Sequence, residues 1–181
     1  MFVRGTALGG LLVAIEEEFG TEGMARLRAA LPAAARAKLA EPITADTVYT
    51  VEVFAAFHEA IRTELGNGDI AVNRRLGARA AQVDFGTIHR AFIRVADYAT
   101  LLRATERAWP RYNSHGRVEW PYIGKGQATA LIQHVRGYSE PMWHAIGGRL
   151  EAVLLLGGAT TAAAVVAEWS DIGARYRLNW S

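Results

Sequence analysis

The feature that most constrains this chain is residues 139–158, SEPMWHAIGGRLEAVLLLGG, a helix with a pair of strand-like segments on either side. Ser139 is placed to accept from the orphan amides of the first turn, and Glu140 and Pro141 both suit that turn. Met142, Ile146, Leu150, Val153 and Leu154 recur at helical spacing, and Gly157 and Gly158 supply the stop. A helix set between two hairpins most naturally lies across the sheet those hairpins build.

The flanking segments carry the period of a strand. Val118, Trp120 and Tyr122 alternate with Arg117, Glu119 and Pro121, and Pro121, lacking a donor, argues for an edge position. Gly124, Lys125 and Gly126 form a turn, after which 127–136 reads as a second strand with apolar residues on both faces. Beyond the helix, 161–169 leads through the turn at 170–173 into a strand with Ala174, Tyr176, Leu178 and Trp180 on one face. Arg175, Arg177 and Asn179 take the other. Strands are expected at 117–122, 127–136, 161–169 and 174–180.

The first half reads as helical. Leu8, Leu11, Leu12 and Ile15 mark a helix over 6–19; shorter helices follow at 21–31 and 33–40. Residues 47–65 carry Val51, Phe54, His58, Ile61 and Leu65 on one stripe, closed by Gly66 and Asn67. Asp69 caps a helix to Phe85; Gly86 and Thr87 interrupt it, Ile88, Phe92 and Val95 resume it, and Leu101, Leu102 and Trp109 extend the pattern to Pro110. No strand is expected inside 47–108. The fold class is therefore α+β: a helical N-terminal layer packed on a four-stranded antiparallel sheet, with a helix between the two hairpins. The expectation is one domain over 1–181, helical in 1–110, with the sheet and central helix in 111–181.

Composition narrows the functions. Apolar residues make up 51 % and charged residues 21 %, as in an ordinary globular protein, and a net charge of +2 without any Lys or Arg run argues against nucleic acid. The absence of cysteine removes disulfides, thiol nucleophiles and thiolate metal sites. No apolar run spans a membrane, and Glu16, Glu17 and Glu18 interrupt any leader-like stretch, so the default location is cytoplasmic. The abrupt start in an apolar helix suggests that a few leading residues are missing.

Candidate chemistry is sparse. Gly5, Gly9 and Gly10 look like a phosphate loop, but the Lys-Ser/Thr ending is lacking and no strand is expected before them. The five histidines show no ligand spacing. Ser114 and His115 are sequence neighbours, a poor arrangement for a nucleophile and its base, and Asp84 with His89 favours a structural hydrogen bond. Arg117, Lys125, Arg175 and Arg177 read as a solvated sheet face. No acid–base constellation stands out, and the sequence favours a non-enzymatic role.

The helix ending near Leu65, the Asn113–Ser114 loop, the Gly137–Tyr138 turn into a helix with Gly148 and Leu150–Glu151, and the terminal Tyr176-Arg177-Leu178-Asn179-Trp180 resemble a paralogous family of unknown function expanded in myxobacteria. That family is similar in fold to vinyl-reductase-type, haem-NO-binding and vesicle-tethering Bet3-like domains. The resemblance implies a pocket between helical layer and sheet that can hold an apolar ligand. Without cysteine, no thioester anchor of the Bet3 kind can form. The Tyr-x-Ser-x-Arg haem-propionate motif is only mimicked by Tyr112, Ser114 and Arg117, the arginine coming one residue late, so haem is considered and not favoured.

The resulting expectation is a ligand-binding or protein-interaction domain of the sensor or adaptor kind. Phe54, Phe57, His58, Trp120, Met142, Trp143 and Ile146 are the candidate ligand-binding residues, with His58 as the polar group. Alternatives are a haem- or tetrapyrrole-related enzyme or sensor, and a dimeric scaffold without ligand. A homodimer is expected through the glycines of the first helix or the 77–81 segment, as symmetric partners commonly cover such surfaces.

Overall fold

A computed structural model describes residues 1–85 and 97–181. The expected restart at Gly86–Thr87, the helical positions Ile88, Phe92 and Val95, and His89 lie outside the described residues. The described chain is a layer of helices packed on a four-stranded antiparallel sheet, with the helix of residues 140–156 between the two hairpins in sequence and packed on both α-helical and sheet neighbours.

Strand β1 (Phe2–Arg4) leads directly into helix α1 (Gly5–Ala30). At Gly20, where φ is 64° and ψ is −168°, α1 breaks, dividing it near the expected junction of two helices. Helix α2 (Ala33–Ala40) follows Pro32. Strand β2 (Val48–Thr50) pairs antiparallel with β1, Val3 opposite Tyr49. This corrects two expectations: a short strand does lie inside 47–108, and a strand does precede Gly5. No phosphate loop results, because the Gly5 amide donates to Thr47 O at 2.6 Å. The expected helix at 47 starts instead at α3 (Val51–Ala60), whose N-cap Thr50 accepts from the Val53 amide, and continues as a π-turn through Ile61–Leu65.

Helix α4 (Ala71–Asp84) begins where Asp69 Oδ1 accepts from the Ala71 amide at 2.9 Å. Helix α5 (Tyr98–Ala108) is capped by Asp97 and passes into a short turn at Trp109–Arg111. Strands β3 (Arg117–Gly124) and β4 (Gln127–Gln133) form one hairpin, β5 (Ala162–Ser170) and β6 (Gly173–Trp180) the other, in the order β3-β4-β6-β5. Strand β3 is an edge strand, and its register shifts between Glu119 and Tyr122, where Pro121 cannot donate. On β4, Ala128, Ala130 and Ile132 are buried, joining Ala174, Tyr176, Leu178 and Trp180 of β6 in the core. The strand stops at Gln133, earlier than expected, and His134 takes φ 60°.

Helix α6 (Glu140–Leu156) occupies the expected span. Its cap differs: Ser139 has the extended backbone of an N-cap, but its hydroxyl is buried and, among the described residues, has no partner and accepts from no amide. Two contacts fasten α6 to the sheet, Trp143 Nε1 donating to Ser170 O at 2.9 Å and Tyr176 OH donating to Trp143 O at 2.7 Å. Glu151 adds a third by accepting from the Ala164 amide at 2.7 Å while pairing with Arg74 of α4.

The opposite face of α6 meets α4 at close range. A Cβ on Gly148 would lie 2.8 Å from Arg74 C and 2.9 Å from Ala78 N, and one on Gly77 would lie 2.7 Å from Ala145 C. Gly77, Ala80 and Ala81 are thus buried within the chain, so this segment is not the free dimer surface expected for it. Arg75 and Arg79 of α4 pair with Glu18 and Glu17 of α1, so the acidic run in α1 is a docking edge for α4. Among the described residues, no helix is long and apolar enough to cross a membrane.

Candidate functional site

A cavity of about 130 Å³ lies between the helical layer and the sheet. Helices α1, α3 and α4 contribute Leu11, Phe54 and Ala81; α6 contributes Met142, Ile146 and Arg149; β3 and β4 contribute Val118 and Ile132. Trp109, Tyr112 and Asn113 also line it. Its shape follows from sequence: helical spacing puts Met142, Ile146, Arg149, Leu150 and Val153 on one stripe of α6, and alternation turns Val118 and Ile132 inward.

The expected site residues separate into two groups. Phe54, His58, Met142 and Ile146 line this cavity. Three do not. Phe57 faces a separate small void beside Leu8, Ala35 and Tyr49. Trp120 is buried with its indole nitrogen donating to Thr105 Oγ1 at 3.2 Å. Trp143 is fully buried against Tyr138 and the β5–β6 turn. Each has a large aromatic surface absorbed by packing elsewhere, and apolar periodicity cannot tell a core position from a cavity wall.

His58 is 3 % exposed and packs edge-on against Phe54, ring centroids 4.7 Å apart. Asn73 Nδ2 lies 3.1 Å from His58 Nδ1 and 2.9 Å from His58 O. Turning the amide over would set two oxygens against each other at His58 O, so the nitrogen belongs there and Nδ1 accepts. The proton of the neutral ring therefore sits on Nε2, which meets nothing among the described residues. Burial, reinforced by the charge of Arg149, pushes the His58 pKa down to about 3. The ring stays neutral.

Several other polar groups at the cavity have partners. Arg149 Nη1 donates to Asp84 Oδ2 at 2.6 Å, Nη2 donates to Ala7 O at 3.3 Å, and the guanidinium lies 5.3 Å from the centre of the Tyr112 ring. Burial raises the Tyr112 pKa, with the nearby Asp84 charge adding to it. Tyr138 OH donates to Asn113 Oδ1 at 2.5 Å, and burial raises its pKa as well. These groups escape a sequence reading because each partner is remote in the chain. Arg149 alone leaves a signal, a cation three residues after Ile146 on an apolar stripe.

Of the haem-propionate mimics, only Tyr112 reaches the cavity. Ser114 ties the loop to the first strand, its hydroxyl accepting from the Phe2 amide at 2.9 Å, and Arg117 pairs with Glu119. Ser114 Oγ also lies 2.8 Å from His115 Nδ1, so the sequence neighbours do form a pair. The pair is exposed, and Ser114 Oγ lies 3.0 Å from Phe2 O as well. Asp84 pairs with Arg149.

Haem does not fit the cavity formed by the described residues. Sites for cofactors and drug-sized ligands run to roughly 300–1,000 Å³, well above the volume here. A ligating histidine donates its second ring N–H to an acceptor, whereas Nδ1 of His58 faces an amide donor. Among the described residues the arrangement is a largely apolar cavity with a neutral ring N–H on its wall.

No protein-family model and no curated protein matches the chain. Solved structures do. The unliganded Fe(II) form of an H-NOX protein mutant from K. algicida superposes with a TM-score of 0.70 at 10 % identity, over 98 % of this chain and 96 % of that one. An oxygen-binding H-NOX domain related to soluble guanylate cyclases gives 0.67 at 12 % identity, over 98 % and 95 %. A structure concerned with haem redox potential and porphyrin distortion gives 0.69 at 11 % identity, over 98 % and 99 %. The chain has the H-NOX-like α+β fold.

Proposed function

We propose that this chain is a non-enzymatic sensor domain that binds a small apolar molecule in the cavity between its helical layer and its sheet. The observation that supports the reading is the cavity itself, largely apolar walls around a ring N–H that the described residues leave without a partner. A cavity of about 150 Å³ lined by apolar side chains binds benzene-sized molecules and stays dry otherwise, so a volume near this value is enough for a small ligand. The sensing role is suggested by the fold, since neighbours on it include an oxygen-binding domain related to soluble guanylate cyclases.

A haem-binding sensor is the second reading, favoured by the likeness of the fold to H-NOX structures. It requires the layers to part and His58 to exchange its ring proton. Native mass spectrometry and melting curves with haem, bilins, fatty acids and small aromatics test both. Stabilisation by a small apolar compound, with no haem uptake, supports the first reading, because a ligand held only by the folded state raises the melting temperature. Stoichiometric haem uptake with a new visible absorption band replaces it with the second. No stabilisation by any compound removes both.

A further inference from the structure

We propose that the cavity selects a neutral apolar molecule carrying one hydrogen-bond acceptor, such as a ketone, with His58 Nε2–H as the group that recognises it. The inference rests on the cavity being a ligand site and adds the chemistry of the ligand.

Three observations converge on it. The first is the ring's fixed polarity: Asn73 Nδ2 spends its protons on His58 Nδ1 and His58 O, leaving Nε2–H as a donor with no described partner at a residue that lines the cavity. A donor facing an apolar cavity without a partner is unfavourable, and an acceptor on the ligand removes that cost. Water is a poorer substitute, because a buried water needs two to four polar partners while the wall is mostly apolar, and Tyr138 and Arg149 are already engaged with Asn113 and Asp84.

The second is charge. Arg149 and Asp84 neutralise each other at the cavity wall. An anionic ligand would have to take Arg149 from Asp84 and leave that carboxylate buried alone. A cation would strand Arg149. Both outcomes are costly, so the ligand is neutral.

The third is size. At about 130 Å³ the space takes a ring with a short substituent and excludes a tetrapyrrole or a long acyl chain.

Acetophenone, α-methylstyrene and benzoate test this by calorimetric titration of the purified full chain. The first two have the same shape and differ by a carbonyl oxygen against a methylene. A cavity without a donor prefers the hydrocarbon; with His58 the ketone is expected to bind about three- to tenfold more tightly, the worth of one neutral hydrogen bond. Benzoate is expected to bind more weakly than either. In His58→Leu the order reverses, α-methylstyrene binding more tightly than acetophenone. The wild-type comparison needs no variant, so a poorly folding mutant does not spoil it. As a second readout, the His58 Nε2–H proton resonance moves downfield with acetophenone only. Equal binding, or preference for α-methylstyrene, overturns the role of His58 while leaving the cavity a ligand site. Preference for benzoate overturns the charge argument. No binding of any of the three overturns both this inference and the functional reading beneath it.

Discussion

Gly148→Ala and Gly9→Ala make the same chemical change on two helices and are expected to act in opposite directions. A Cβ at Gly148 would sit 2.8 Å from Arg74 C and 2.9 Å from Ala78 N, with the Arg74 carbonyl oxygen nearer still. Ordinary carbon contacts lie at about 3.5–4.0 Å, so α4 and α6 would have to separate by most of an ångström. Both neighbours are backbone, and no rotamer change relieves them. Overpacking of this kind costs about 1–3 kcal/mol, and the upper end applies because Glu151 and Trp143 hold α6 against the sheet. Alanine returns about 1 kcal/mol of helix propensity. The net loss is about 2 kcal/mol, a fall of roughly 4–8 °C in melting temperature for a chain of this length. At Gly9 a Cβ meets nothing within 4 Å, so only the propensity gain of about 0.5–1 kcal/mol remains and the melting temperature rises. Calorimetric melting of the wild type and both variants reads the two signs. A Gly148→Ala protein as stable as the wild type would refute the close approach of α4 and α6 as the element that fixes this layer.

Three further outcomes are expected. Arg149→Met leaves Asp84 buried without its partner and should lower stability in urea by about 3 kcal/mol, most of it recovered in the double variant with Asp84→Leu. Trp143→Phe removes the N–H that satisfies Ser170 O and should cost about 1–3 kcal/mol in the same assay. The folded-state pKa of His58, about 3, lies below its unfolded value of about 6.5, so between these values the unfolded chain binds the extra proton. The contribution is therefore complete above pH 6.5 and declines as the pH falls toward 3. From pH 7 to pH 5 the wild type should lose about 2 kcal/mol more than His58→Leu, measured by urea titration at both values.

The sheet and the central helix are legible in the sequence because each declares its period. Tyr176, Leu178 and Trp180 alternate with Arg175, Arg177 and Asn179, and the structure sends the first set to the core and the second to solvent. Strand β2 is invisible for the opposite reason: three residues cannot display alternation, and their pairing depends on Phe2–Arg4, more than forty positions away. Ser139 shows that residue type does not settle a cap, since its hydroxyl is buried rather than turned to the first amides. Of the expected residues, the apolar stripes lead to Phe54, Met142 and Ile146 on the cavity wall, while burial alone does not separate Phe57, Trp120 and Trp143 from them. The partnership of Asn73 with His58 decides the chemistry of the cavity, yet it joins two helices through a contact that no local pattern encodes.

The cavity persists because α6 cannot move to fill it. On one side the Gly77 and Gly148 contacts already bring α6 to the limit of approach on α4. On the other, Trp143, Tyr176 and Glu151 bond it to the sheet, each using a buried group whose loss of partner would be costly. Translation toward either neighbour meets backbone, and translation away breaks hydrogen bonds. Met142, Ile146 and Arg149 therefore stay at a fixed distance from Phe54 and His58 across the space. Arg149 strengthens this by spanning α6, α4 and α1 through Asp84 and Ala7 O, so collapse from the polar end would strand a charge. A void of this size in an ordinary core is closed by small shifts of its walls. Here the walls are held by close backbone contacts and hydrogen bonds on both sides of α6, and the space between them stays open.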